Sequence, residues 1–348
     1  MSRLSRALVA AAALAAFAPS GAGADGASLT PSSTVLRLDA GQSRRVDFAL
    51  SVRVPARPVD VYLLVDTSAA TAPHLPALRR SLKDAVARSG PNVRFGVGEL
   101  RTTGAGDWTG GVTYRTLRKV GPADAGLERA IDRLGQDAAG PAASLGGEVA
   151  HTVALDEAVT GDGYDPYVAP GHDAGFRGDA RRVVALVTAE AFANDPLQPT
   201  RDEAVSALRA AGANVVGLAI GPAALGDLAA VAAGTGSVAS ADVDCGRGRV
   251  RRGQPAACVV APDALAAPLA RLLLRRERAE ATFAVSGTGV RRFDAPARQV
   301  DRGTTARIPL RLDVACAEGD AGRVHDVAVT ARLDGDPVAR ASLRVECH

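Results

Sequence analysis

Two stretches of period-two alternation bracket a long run in which apolar strands alternate with amphipathic helices. That bracketing limits the folds open to this chain more than any other feature. In residues 28–55 the apolar positions are Val35, Leu36 and Leu38, then Val46, Phe48 and Leu50, then Val52 and Val54, with Gly41 as a turn. In residues 279–348 the alternation returns at 282–286, 306–314, 324–333 and 338–347. Side chains that alternate in and out belong to half-buried strands of an antiparallel sheet. The N-terminal strands alone are too few to bury a face. One β-sandwich interrupted by an insertion is therefore the economical organisation.

The interruption has a different texture. Residues 61–65, Val-Tyr-Leu-Leu-Val in sequence with Asp60 before and Asp66 after, form a continuous apolar run that reads as a buried parallel strand. Residues 75–88 place apolar side chains at helical spacing and stop at Gly90-Pro91. Further strands are expected at 93–100, 113–120, 182–188, 214–220 and near Val238. Helices are expected at 125–134, 148–159, 201–211, 225–233 and 262–278. This alternation predicts a mostly parallel sheet with helices on both faces. The boundaries expected are 25–57 and 279–348 for the sandwich and 58–278 for the α/β insertion. The core must rest on Ala, Val and Leu, because aromatic residues are only 3% of the chain.

The run at 61–65 ends in Asp66-Thr67-Ser68, small polar residues at the carboxyl end of a strand. In open α/β sheets ligands bind there. Asp-x-Ser is also the front half of the Asp-x-Ser-x-Ser signature of von Willebrand A-type domains, with Ala70 in place of the second Ser. The matches extend along the chain. Leu29-Thr-Pro with 36–42, the segment 57–68, Val93-Arg-Phe-Gly-Val-Gly98, the segment 175–184 and Leu343-Arg-Val-Glu-Cys347 together resemble the integrin β subunit. In that family a hybrid β-sandwich carries a Rossmann-like, A-type domain as an insertion.

That resemblance implies a fold, a function and a site. The function implied is an integrin-β-like adhesion or protein-binding module, with a protein or cell-surface ligand. The alternative is a scaffold or subunit of an envelope-associated complex without metal-dependent binding. The family holds a divalent cation on three loops, and a partner's acidic side chain completes its coordination. Here Asp66 and Ser68 match the first loop, Glu148 the second, and Ala189 replaces the third-loop Asp with Glu190 one position later. Asp66, Ser68 and Glu148 are thus the candidate metal ligands, and with Glu190 the candidate ligand-binding set. At most one weak site for Mg²⁺, Mn²⁺ or Ca²⁺ is implied, because the residues matching two neighbouring family sites are Pro73 and His74, and Ala143, Ser144 and Leu145. The competing reading is that Asp66 and Ser68 cap the following helix and tie the loop to backbone amides.

Arg3 and Arg6, the apolar residues 7–18 and Ala22-Gly23-Ala24 read as a signal peptide over 1–24. Its removal takes two arginines and no acid, leaving a formal charge of +1 from +3, so charge points to no nucleic-acid partner. No apolar stretch reaches the length of about 20 residues that spans a bilayer. A secreted or envelope location is expected, and the Ala- and Arg-rich composition points to GC-rich coding and a bacterial source. Cys245, Cys258, Cys316 and Cys347 suit two disulfides in an oxidising compartment. Three pairings are open, and proximity favours 245–258 and 316–347. A zinc site is the rival use, without any Cys-x-x-Cys. Arg177-Gly178-Asp179 is a tripeptide that integrins recognise, but it lies where a turn enters a core strand. The loop between Cys245 and Cys258 carries four arginines and offers a contact for an anionic polymer or an acidic protein patch. Neither a nucleophile elbow, a phosphate loop nor a His-Glu-x-x-His helix is present, so no enzyme is expected.

Overall fold

In the computed structural model, residues 26–101, 113–136, 149–164, 168–193, 198–273 and 278–348 are described. The candidate signal peptide and Glu148 lie outside them. The chain divides into two compact units. One joins the described residues up to Pro55 with Arg278–His348, and the other is Ala56–Glu277. The fold is mixed α/β with several sheets.

In the continuous unit, β4 (Val59–Asp66) lies at the middle of a six-stranded sheet. On one side stand β5 (Val93–Leu100) and β6 (Tyr114–Gly121). On the other stand β7 (Arg181–Thr188), β8 (Ala213–Ala219) and β11 (Ala257–Val259). All neighbours are parallel except β5 and β6. The alternation within β4 feeds two cores. Val61, Leu63 and Val65 meet α1 (Leu75–Ala87), α2 (Ala125–Arg133) and α6 (Ala266–Leu273). Tyr62 and Leu64 meet α3 (His151–Thr160), α4 (Arg201–Ala210) and α5 (Leu225–Gly234) on the other face. A strand buried on both sides needs a continuous apolar run, and 61–65 is one. Gly98 on β5 leaves room for the Tyr62 ring, since a Cβ there would overlap its hydroxyl.

Three expectations need correction. The last strand of this sheet is β11, not a strand near Val238, which makes only one isolated bridge, to Pro255. The helix expected to begin at 148 is described from His151, and the long last helix is described only over α6, with Arg278 already in a strand.

The discontinuous unit holds two sheets. One runs β1 (Ser28–Thr30), β3 (Ser43–Arg53), β15 (Thr305–Ala315), β13 (Val290–Asp294). The other runs β14 (Arg298–Asp301), β12 (Arg278–Gly287), β16 (Val324–Leu333), β17 (Asp336–Cys347), β2 (Ser33–Leu38). Inward residues of both, among them Phe48, Leu50, Leu310, Val329 and Leu343, form one cluster. The expected all-antiparallel pairing fails at one edge, where β2 runs parallel to β17 with Leu36 beside Val345. These strands come from opposite ends of the chain, so no hairpin dictates their direction. The short β9 (Val243–Asp244) and β10 (Arg249–Val250) form a separate ribbon in the α/β unit.

Candidate functional site at the carboxyl edge of the parallel sheet

From β4 the chain goes to β5 on one side and later enters β7 on the other, so a topological switch point lies between β4 and β7. Crevices at such points are where α/β sheets bind ligands. Asp66 ends β4 and Thr188 ends β7, and both are fully buried. The Asp66 carboxylate is engaged on both oxygens. Oδ1 accepts the Ser68 N–H at 2.8 Å. Oδ2 accepts the hydroxyls of Thr71 at 2.8 Å and Thr188 at 2.7 Å. Thr71 in turn accepts the Ala189 N–H at 3.2 Å, which ties the β4 loop to the β7 loop.

The single hydroxyl proton of Thr188 goes to Asp66, so its oxygen accepts from its other neighbours. These are the Glu190 N–H at 3.0 Å and Nε2–H of His151 at 2.9 Å. His151 is fully buried at the start of α3, and its ring stacks on Phe192 with centroids 4.4 Å apart and planes at 2°. Its Nδ1 has no hydrogen-bond partner among the described residues. Burial pushes the imidazole pKa down to about 4, against opposing pulls from Asp66, Asp227 and the Val149 carbonyl.

This depression has a sign. The neutral ring is the folded form, and the unfolded chain takes up its proton near the ordinary value of 6.5. The stabilisation is therefore complete above pH 6.5 and is lost as pH falls from 6.5 to about 4. The loss expected is about 3 kcal/mol. Thermal midpoints from pH 7.5 to 4 measure it, with His151→Gln keeping a donor where Nε2 stands. The variant's profile should be flatter in that interval. Parallel profiles would show that His151 is not the titrating group. Asp156 and Glu157, whose carboxyls burial pushes up, are common to both proteins and drop out of the difference.

Only part of the expected ligand set is brought together. The Ser68 hydroxyl donates to Glu190 Oε1 at 3.2 Å, and Glu190 is half-buried beside it. Ala70 and Ala189 offer no side-chain oxygen. Mg²⁺ requires near-octahedral oxygen donors, whereas among the described residues the Ser68 hydroxyl is buried and bonded to Glu190, and only the Glu190 carboxylate is partly exposed. The Asp66 oxygens are already taken by three donors. The described donors do not fit a cation site. The loop tie foreseen in the competing reading is present in the Ser68 N–H bond to Asp66, but neither residue caps α1, which starts without a side-chain cap.

Sequence reasoning missed Thr71 and Thr188 as partners of Asp66, and His151 as a partner of Thr188. It also missed a second buried carboxylate on the same edge. Glu99, 1% exposed near the end of β5, accepts from Arg101 and Arg115 at 2.7 Å and from the Gly135 N–H at 2.7 Å. The one signal in the sequence was the set of isolated hydroxyls: Thr71 between alanines, and Thr188 closing an apolar strand.

All four cysteines are paired, Cys245 with Cys258 and Cys316 with Cys347, as proximity favoured. Asp320, His325 and Cys347 lie close enough to suggest a metal cluster. The Cys347 sulfur is bonded to Cys316, and His325 instead bridges Thr288 at 2.8 Å and Asp320 at 3.1 Å. Arg177 of the Arg-Gly-Asp tripeptide turns inward onto the buried Asp60. No helix among the described residues is long and apolar enough to cross a membrane.

No protein-family model matches this chain, and no curated protein matches it. Among solved structures it is similar to the pilus adhesin SpaC from Lactobacillus rhamnosus GG, at 13% identity and a TM-score of 0.39, over 86% of this chain and 46% of that one. It is also similar to proximal thread matrix protein 1 from the mussel byssus. One crystal form of that protein gives 17% identity and a TM-score of 0.36 over 52% of this chain and 42% of that one. Another gives 19% and 0.36 over 53% and 41%. The chain thus spans less than half the length of each of these structures, and likeness at this level carries no functional argument.

Proposed function

We propose that this chain is an exported, adhesion-type binding module. In this reading an A-type α/β domain is inserted in a β-sandwich, as the resemblance to integrin β subunits implies. Its carboxyl-edge face around Ser68 and Glu190 meets a protein or cell-surface ligand without a cation and without chemical turnover. The observation that carries the reading is the closed Asp66 network at the switch point. Three internal donors hold the loops that would form the binding face, where the family relies on a metal.

Thermal unfolding with Mg²⁺, Mn²⁺, Ca²⁺ or EDTA tests the cation claim. A site with a dissociation constant of tens of micromolar would gain about 2 kcal/mol at 1 mM cation. For a unit of this size that is a shift of several degrees. The expected result is no shift. A shift in the wild type that Asp66→Asn abolishes would restore a metal-dependent site. Binding is tested by capture from the source organism's surface fraction, comparing wild type with Ser68→Ala/Glu190→Gln. A component held by the wild type and lost by the variant supports the face. Equal capture by both favours the scaffold reading.

A further inference from the structure

We propose that the hairpin between Asp242 and Cys258 is a second binding element, for an acidic polysaccharide, separate from the carboxyl-edge face. The ribbon pairs Asp244 with Arg249 and Val243 with Val250. Val243 and Val250 are buried, so the pleat sends Arg249 and Arg251 outward, with Arg247 in the turn and Arg252 just beyond. All four arginines are exposed.

The nearby acids pair with only one of them, Arg249. Asp244 accepts the Gly246 N–H at 2.9 Å. Asp242 accepts the Arg252 N–H at 2.9 Å and pairs with Arg249 at 3.3 Å. The guanidinium groups of Arg247, Arg251 and Arg252 make no ion pair or hydrogen bond among the described residues. Three uncommitted guanidinium groups thus fall within six residues of sequence.

The loop that displays them is fixed. Cys258 lies in β11, paired with Leu218 of β8, and its bond to Cys245 fastens the ribbon to the edge of the main sheet. Backbone bonds between Ala239 and Gln254, Gly253 and Ala239, and Cys245 and Gly248 close the remainder. A loop ordered before binding loses less entropy when a ligand arrives. Guanidinium groups bind carboxylates and sulfates through paired N–H donors.

The surroundings select the kind of polyanion. Residues 242–258 contain no aromatic side chain on which a base could stack. They expose no large apolar side chain of the kind that anchors a protein interface. A flexible chain of regularly spaced carboxylates or sulfates needs neither.

The experiment uses the full chain on immobilised heparin and on immobilised alginate. The test variant is Arg247→Gln/Arg251→Gln/Arg252→Gln. The control is Arg291→Gln/Arg292→Gln/Arg340→Gln, which removes the same charge from exposed positions elsewhere. The hairpin variant is expected to lose affinity about tenfold, the scale of three exposed ionic contacts. The control should keep wild-type affinity, and binding should weaken steeply with salt. Circular dichroism confirms that both variants fold. Equal losses in the two variants, or no loss in either, would overturn the proposal. So would displacement by DNA or poly-L-glutamate at lower concentration than by free polysaccharide. Because Ser68 and Glu190 are untouched, failure here leaves the carboxyl-edge reading standing, and failure there leaves this one.

Discussion

Replacing Arg177 with Ala is expected to lower the stability of the α/β unit by roughly 3–5 kcal/mol, the range for orphaning one partner of a buried ion pair. Asp60 near the start of β4 is fully buried. Its Oδ1 accepts Nε of Arg177 at 2.9 Å and Nη2 at 2.5 Å, while Oδ2 accepts the Arg177 N–H at 2.7 Å. Alanine keeps only the backbone bond and leaves a desolvated carboxylate without a counter-charge. An exposed ion pair would cost at most about 1 kcal/mol, so the size of the loss reports the burial. Urea unfolding measures it. Arg177→Lys should recover part of the loss, because an ammonium restores the charge without the fork. The double variant Asp60→Asn/Arg177→Ala should be more stable than Arg177→Ala alone, since no buried charge is then unpaired. A loss under 1 kcal/mol in Arg177→Ala would mean that the side chain is free, and the Arg-Gly-Asp tripeptide would again be available for display.

That example marks where sequence stops being informative. The strands 61–65 and 183–187 are legible because burial on two faces demands an unbroken apolar run. Helix α4 is legible because Thr200 and Glu203 form a reciprocal cap visible as Thr-x-x-Glu. Edge strands carry less signal. In β13 only Val290 and Phe293 are apolar, and in β14 only Val300, since an edge strand has one neighbour to satisfy. Strand β11 is three residues long, and its parallel partner β8 lies 40 residues away in sequence, beyond any local pattern. At the site, Asp66, Ser68 and Glu190 could be named because the family resemblance marks loops that begin at the ends of β4 and β7, and each lies at or within two residues of such an end. Whether their oxygens face solvent, a cation or one another depends on Thr71 and Thr188, whose hydroxyls meet only when β4 and β7 lie side by side. His151 belongs to a third element, and nothing in its local sequence relates it to Asp66.

The Asp66 network should therefore respond to substitution as an internal brace and not as a metal ligand. Asp66→Ala removes the acceptor of the Ser68 N–H and of the Thr71 and Thr188 hydroxyls, all in buried residues. Leaving a buried donor unsatisfied costs about 1–3 kcal/mol. Thr188 has a partial alternative, since the Glu190 carbonyl lies 3.3 Å from its hydroxyl. A net loss of roughly 4 kcal/mol is expected. Asp66→Asn should lose about half as much, because the amide keeps one acceptor for the Ser68 N–H and can donate to the Thr71 oxygen, while the Thr188 oxygen already accepts from Glu190 and His151. Thr71→Val keeps the side chain's shape, removes one of the three donors and leaves the Ala189 N–H without its acceptor, so its loss should fall near that of Asn. Denaturant unfolding with and without EDTA separates the two kinds of site. In a brace, the ranking of Ala, Asn and Val is the same in both conditions, because each hydrogen bond is internal. In a cation site, the wild type alone would lose stability on chelation and the three variants would converge on its EDTA value. Such convergence would show that the oxygens of Asp66 serve an ion and that its contacts with Thr71 and Thr188 are secondary.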